Sequence, residues 1–247
     1  MSIPVKKIKA KKVIIIGATS GIGRELALIY ASKGCMVGIS GRREEHLISL
    51  KEKFPDNLVI EKFDVTGKEN IIHLQNLIEK LDGMDVLIYN SGFGEMSKTL
   101  EWEIENQTTQ VNVNGFLELI CFGYNYFCNQ GYGQLAGTSS IASIKGSSRA
   151  TAYAASKAFM SNYLEGLYLK AKNNNKNISV TDIQPGFVDT ALIKGAGIFW
   201  VAKASKAAYQ IYNAIEGRRK RVYITKRWWI IAKLLEFMPN FIYNSFG

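Results

Sequence analysis

The chain has 247 residues, 47% hydrophobic and 21% charged, with a formal net charge of +10. This composition fits a folded globular protein of one large domain and excludes a disordered, fibrous or disulfide-stapled chain. The charge is confined to the ends: residues 1–12 hold five lysines and residues 218–233 hold seven Lys or Arg, while the rest carries 19 basic against 21 acidic residues, so no basic groove for nucleic acid is implied.

In chain order, short β-branched runs alternate with longer amphipathic stretches. Strands are predicted at 12–17, 36–40, 58–63, 86–90, 134–139, 178–183 and 222–225, and helices near 21–33, 43–53, 67–81, 100–128, 151–172 and 204–216. Runs such as Val13-Ile14-Ile15-Ile16 and Val86-Leu87-Ile88-Tyr89 are apolar throughout, as a strand covered by helices on both faces requires. The expectation is an α/β fold: a Rossmann-like, doubly wound parallel sheet of about seven strands with helices on both faces, in a single domain over 1–247. Cys35, Cys121 and Cys128 lie inside apolar segments and are expected to be buried free thiols. Two histidines, His46 and His73, with no Cys-x-x-Cys, offer no metal cluster. No apolar run reaches the roughly 18 residues of a membrane span. The start of the chain has lysines but no apolar signal core, so the expected location is the cytoplasm.

Directly after the first strand comes Gly17-Ala18-Thr19-Ser20-Gly21-Ile22-Gly23, and a helical stretch follows from Arg24. Glycines there permit a tight turn and close approach of a pyrophosphate, while the helix N-terminus supplies free N–H groups and a positive dipole end. Glycines also end strands for steric reasons alone, but strand before and helix after is the context that phosphate binding needs. The Gly-x-x-x-Gly-x-Gly spacing resembles that of the short-chain dehydrogenase/reductase family, although Ile16 stands where family members usually carry Thr. The second strand ends in Ser40-Gly41-Arg42-Arg43. The resemblance implies that an acidic residue at 41 would select NAD, and that an arginine at 42 faces the 2′-phosphate of NADP. With Gly41 unable to bind ribose hydroxyls, and Arg42 and Arg43 able to make charge-assisted bonds, NADP(H) is favoured over NAD(H). The alternative is that both arginines merely solvate the next helix. Asp64-Val65 resembles the family pair bracketing adenine, and Asn90 and Gly92, in Tyr89-Asn90-Ser91-Gly92, match the family's Asn-Asn-Ala-Gly.

The most specific pattern is Tyr153-Ala154-Ala155-Ser156-Lys157, with Ser140 thirteen residues earlier. At i and i+4 on a helix, phenol and ammonium share a face. The cation is expected to favour phenolate and lower the tyrosine pKa toward working pH, so that the phenol exchanges a proton with a carbonyl or hydroxyl oxygen. Ser140 would hydrogen-bond the same oxygen. Singly, each residue has a plain structural reading. Together with the glycine turn they resemble the Ser, Tyr and Lys set of the same family, in which an Asn at the place of Asn112 completes a water-linked proton relay. Pro185-Gly186-Phe187-Val188-Asp189-Thr190 resembles the segment that holds the nicotinamide carboxamide, through Pro185, Gly186, Val188 and Thr190. Tyr153 and Lys157 are also expected against the cofactor.

Residues 190–203 occupy the place of the family's substrate loop, where Phe199 and Trp200 either close over an apolar substrate or pack in a core or interface. The basic, aromatic C-terminal segment 226–247 suits packing on the fold or on a neighbouring subunit, or weak contact with a membrane surface. The resemblance implies an NADPH-preferring oxidoreductase interconverting a small-molecule carbonyl and a secondary alcohol, working as a homodimer or homotetramer. Two rival readings are a catalytically silent NADP-binding sensor and a peripheral membrane lipid-binding protein.

Overall fold

A computed structural model describes residues 10–96, 99–174, 177–190 and 199–245. β1 (Lys12–Ile16), α1 (Gly21–Ser32), β2 (Met36–Gly41), α2 (Glu44–Lys51), β3 (Leu58–Lys62), α3 (Asn70–Leu81) and β4 (Val86–Tyr89) form the first half. The second half comprises α4 (Trp102–Thr109), α5 (Phe116–Gln130), β5 (Tyr132–Thr138), α6 (Thr151–Asn173), β6 (Asn177–Pro185), α7 (Ala204–Glu216), β7 (Arg221–Ile224), α8 (Trp228–Phe237) and α9 (Asn240–Tyr243). The strands make one seven-stranded sheet in the order β3-β2-β1-β4-β5-β6-β7, parallel throughout.

The period-two alternation of the strands divides their side chains between two cores. Val13, Ile15, Val37, Ile39 and Ile88 point to one face, where they pack with Leu26 and Tyr30 of α1, Leu47 of α2 and Ile211 of α7. Ile14, Ile16, Leu87 and Tyr89 point to the other, with Leu77 of α3, Phe116 and Phe127 of α5 and Leu164 of α6. Each such aliphatic or aromatic side chain, fully buried, contributes about 1.5–3 kcal/mol. Both faces are therefore apolar for the same reason that β1 reads as an unbroken apolar run.

Strand order reverses between β1 and β4, which opens a crevice beyond the carboxyl ends of the strands. Register then brings the functional segments level: Ile16 pairs with Ser40 and with Tyr89, and Thr138 with Ile183. Gly17, Gly41, Asn90, Ser139 and Pro185 follow at or just beyond these pairs, on one edge.

The single helix expected at 100–128 is instead α4 and α5 joined by one π-helical turn, Gln110–Gly115. Asn112, fully buried, explains the wider turn: its side chain bonds the Phe93 backbone in both directions, accepting from Phe93 N at 2.9 Å and donating to Phe93 O at 2.7 Å. An ordinary α-turn would rotate that amide away from its partners, and π-turns of this kind concentrate at functional sites.

Candidate active site

An 860 Å³ cleft lies over the crevice. Its first wall is the glycine turn, contributing Gly17, Thr19, Ser20, Gly21 and Ile22. Gly17 has φ +90°, and a Cβ on Gly23 would lie 2.1 Å from the Gly17 carbonyl, so the turn and the start of α1 approach more closely than any other residue allows. Gly23 itself lies behind the lining. Asn90 Nδ2 donates to Gly17 O at 3.1 Å and its Oδ1 accepts from Thr138 Oγ1 at 3.1 Å, tying the turn to the ends of β4 and β5.

The second wall holds Gly41, Arg42, Arg43, Asp64 and Val65. Arg43 donates to Thr19 Oγ1 and Ser20 Oγ at 2.8 Å each, and Arg42 lies 3.6 Å from the Asp64 carboxylate. The two guanidiniums thus bracket Gly41 from opposite sides. Ser40 Oγ, in the same wall, is buried with no hydrogen-bond partner. A buried hydroxyl left unpaired is costly, and one at a cleft wall suits a ligand that would satisfy it. The glycine cradle, the helix N-terminus, the two cations and this orphaned hydroxyl fit a dinucleotide.

The third wall brings together Ser140, Tyr153, Lys157, Pro185, Gly186, Val188 and Thr190, with Asn90 and Gly92 between it and the first. Ser140 directly follows Ser139 beyond the end of β5, so its side chain stands at the sheet edge, where Oγ accepts from Ala142 N at 3.1 Å. Its proton has two acceptors within reach, the Pro185 carbonyl at 3.4 Å and the Tyr153 phenol. Tyr153 and Lys157 lie in the first turns of α6, and Lys157 Nζ sits 5.7 Å from the Tyr153 ring centre. The ammonium donates to Thr138 O at 2.9 Å, a backbone partner at the end of β5.

The expected electrostatics of this pair need correcting. Burial raises the Tyr153 phenol above its ordinary value, opposed only in part by the hydrogen bond from Ser140. Burial also draws the Lys157 ammonium down to about 7, with the Asp182 carboxylate acting against the fall. Desolvation dominates because each charged form loses its water on burial. A depressed lysine pKa has a measurable sign. Between about 7 and the ordinary value of 10.5 the unfolded chain holds a proton that the folded chain has released, so rising pH favours the folded state by roughly 1 kcal/mol per unit. In paired denaturant titrations at pH 7 and pH 9, wild type should gain stability relative to Lys157→Met by that slope. A pH-independent difference would contradict it.

Asn112 does not line the cleft. Besides its two bonds to Phe93, its amide donates to Ser156 Oγ at 2.9 Å, so every polar atom of the side chain is committed to holding α6 and the 92–94 segment together. The reason is that segment's proximity: a Cβ on Gly94 would fall 2.2 Å from the Tyr153 ring. Gly94 is one of the residues that motif reading did not single out; Phe93, Met96, Ile141 and Phe187 also line the cleft, on the tyrosine side. A second glycine two residues after Gly92 was the available signal for the first; the apolar ones carry none.

Asp182, also missed, lies in β6, where Ile178, Val180 and Ile183 are interspersed with polar residues, and is 3% exposed. It accepts from Ser139 Oγ, from Ser161 Oγ at 2.7 Å, from Gln184 Nε2 at 2.8 Å and from Arg221 Nε at 3.1 Å. Ser139 precedes Ser140, and Ser161 is one turn beyond Lys157 on α6, so this carboxylate joins the two chain segments that carry the reactive side chains. It is the one charged residue of β6, which was the available signal in the sequence.

Of the expected substrate loop, 191–198 lies outside the described residues. Phe199 and Trp200 are about half exposed, and with Phe187 and Trp228 they form a cluster of ring contacts at 5.2–6.0 Å. Trp228 is buried against Gly186, so α8 is anchored beside the third wall. Among the described residues no helix is long and apolar enough to cross a membrane.

Comparison with known proteins agrees with this architecture. The family profile described as short chain dehydrogenase matches residues 11–198. The Dehydrogenase/reductase SDR family protein 7-like of Dictyostelium discoideum is 33% identical over 200 residues, 76% of this chain and 62% of its own length, so the chain spans under two thirds of that relative. An uncharacterized oxidoreductase of Staphylococcus saprophyticus is 31% identical over 75% of this chain and 82% of its own. The crystal structure of a short chain dehydrogenase/reductase from Burkholderia phymatum, in complex with NAD, superposes with a TM-score of 0.81 at 21% identity and 92% coverage of both chains. With the profile covering three quarters of its length and a sevenfold parallel sheet to match, the chain belongs to the short-chain dehydrogenase/reductase family of oxidoreductases.

Proposed function

We propose that the protein is an NADP(H)-dependent oxidoreductase that interconverts a carbonyl and a secondary alcohol. The observation carrying this reading is the convergence of Ser140, Tyr153 and Lys157 in the same cleft as the glycine turn and the two arginines. The glycine turn and helix N-terminus would hold the pyrophosphate, Arg42, Arg43 and Ser40 the adenosine phosphate, Asp64 and Val65 the adenine, and the 185–190 segment the carboxamide. When bound, the nicotinamide supplies or accepts hydride.

In the reducing direction Tyr153 holds the proton destined for the substrate oxygen, and its raised pKa keeps it protonated until charge develops there. Ser140 turns its hydroxyl from Pro185 or Tyr153 to the same oxygen and stabilises that charge. Lys157, fixed by Thr138, lends the phenol positive potential in its protonated form, which a pKa of about 7 confines to neutral pH and below. Asn112 acts from behind, holding the 92–94 segment over the tyrosine ring.

The NADP preference rests on Arg42 and Arg43. Arg42→Ala should weaken NADPH binding about tenfold or more while NADH changes little, as expected for loss of a charge-assisted bond. Isothermal titration with both dinucleotides measures this, and equal losses would reject the 2′-phosphate assignment. Turnover of a ketone and aldehyde panel, followed by NADPH absorbance, tests the activity itself. NADPH binding without turnover of any member would favour the silent sensor.

A further inference from the structure

The outward face of α8 is apolar where a solvent-facing helix should be polar. Trp228 and Ala232 point inward and are buried, which leaves Ile230, Leu234 and Phe237, at i, i+4 and i+7, on the opposite side with 52%, 57% and 80% exposure. Trp229, and Phe241 and Ile242 of α9, extend the same exposed surface, and Phe199, Trp200 and Val201 are exposed beside the Trp228 cluster. A concentration of large apolar groups on this scale marks a docking surface.

Its charge identifies the occupant. Residues 226–245 contain Lys226, Arg227 and Lys233 but only one acid, Glu236, which is paired with Lys233. Arg227 lies over the Trp200 ring and donates to Trp200 O at 2.8 Å, while Lys145 donates to Asn240 of α9. A second copy docked about a two-fold axis would bring two such basic, acid-poor faces together with no acidic groups to complement them, which is unfavourable. Apolar and Trp side chains rimmed by Lys and Arg suit the boundary of an anionic bilayer, where the rings sit among the headgroups and the cations meet phosphate.

The position relative to the cleft gives the contact a purpose. Phe187 lines the cleft and also meets Trp228 and Phe199, at 5.4 and 5.8 Å, so one aromatic cluster runs from the tyrosine side of the cleft to the exposed face. Resting on the oxidoreductase reading above, we propose that the α8–α9 face docks the enzyme on an anionic lipid surface and that its substrate is a membrane-partitioned carbonyl or alcohol.

The test uses the full chain with vesicles of phosphatidylcholine alone or mixed equally with phosphatidylglycerol. Wild type should sediment with the anionic vesicles, less so as salt rises. Ile230→Glu combined with Leu234→Glu and Phe237→Ser should weaken that binding about tenfold or more, since it removes the buried apolar area and adds like charge. These residues lie outside the cleft, so turnover of a water-soluble ketone should be unchanged, while turnover of a long-chain ketone held in the vesicles should fall with the binding. Failure of wild type to bind anionic vesicles overturns the docking proposal. So does a variant that turns a dimer into a monomer in gel filtration while vesicle binding persists, which would assign the face to a second copy. Equal turnover of the vesicle-held ketone by wild type and variant overturns the substrate half. Vesicle binding with no turnover of any carbonyl would leave docking standing and count against the oxidoreductase reading, so the two failures are distinguishable.

Discussion

Tyr153→Phe should lower carbonyl turnover by about 10²- to 10⁴-fold while leaving NADPH affinity nearly unchanged. The substitution removes one oxygen from a side chain whose ring is held in place by contacts that Phe keeps, including the close approach of Gly94. It deletes the only phenol placed by the structure beside Ser140 and above Lys157, among the described residues. The loss should appear in kcat and kcat/KM alike, as for an interaction realised in the transition state. Steady-state kinetics with the best carbonyl substrate, with fluorescence titration of NADPH on the same preparation, separates this from misfolding. Retained turnover would assign the proton to another group.

The second large effect is on stability. Asp182→Ala should cost about 3–5 kcal/mol, because it strips the counter-charge from Arg221 and leaves Ser139, Ser161 and Gln184 without their shared acceptor in a buried site. Arg221 retains Glu165 at 3.6 Å, on a more exposed side, which offsets part of the loss. Asp182→Asn preserves the shape and should cost less. Because Asp182 also opposes the fall in the Lys157 pKa, either variant should push that lysine further below its ordinary value. Urea titration with an unchanged m-value checks the first expectation. A change below about 1 kcal/mol would show that the network contributes little beyond what its partners recover from one another.

Much of the architecture was legible because it rests on local rules. Strand positions followed from β-branched runs, and the two-sided burial of β1 from its lack of polar alternation. The glycine turn could be placed since each glycine answers a steric demand that no other residue meets. What escaped the sequence depends on partners distant along the chain. Asn112 was recognisable as a position, but its bonds to Phe93 and Ser156, and the π-turn they impose, exist only once α6 and the β4 end are packed together. The division of labour between Arg42 and Arg43, one toward Asp64 and the other toward Thr19 and Ser20, likewise depends on where β3 and the glycine turn come to lie.

The tyrosine and lysine show the limit most plainly. Helical spacing correctly put phenol and ammonium on one face, but spacing says nothing of burial. It is burial that reverses the expected direction for Tyr153 and brings Lys157 down to about 7. Trp228 is a similar case: the C-terminal segment left packing and membrane contact open, and the structure seats one side of the helix on Gly186 and leaves the other facing outward.

On the proposed function, this cleft passes hydride between a nicotinamide and a carbonyl carbon while Tyr153 handles the proton. Incubating the protein with NADPH deuterated at the transferring C4 position and a carbonyl panel, then locating the label by mass spectrometry, tests it directly. Wild type should place one deuterium on the carbinol carbon of each product, and Tyr153→Phe should form none on the same timescale. Alcohol lacking the label, or labelled product formed at equal rate by Tyr153→Phe, would contradict it.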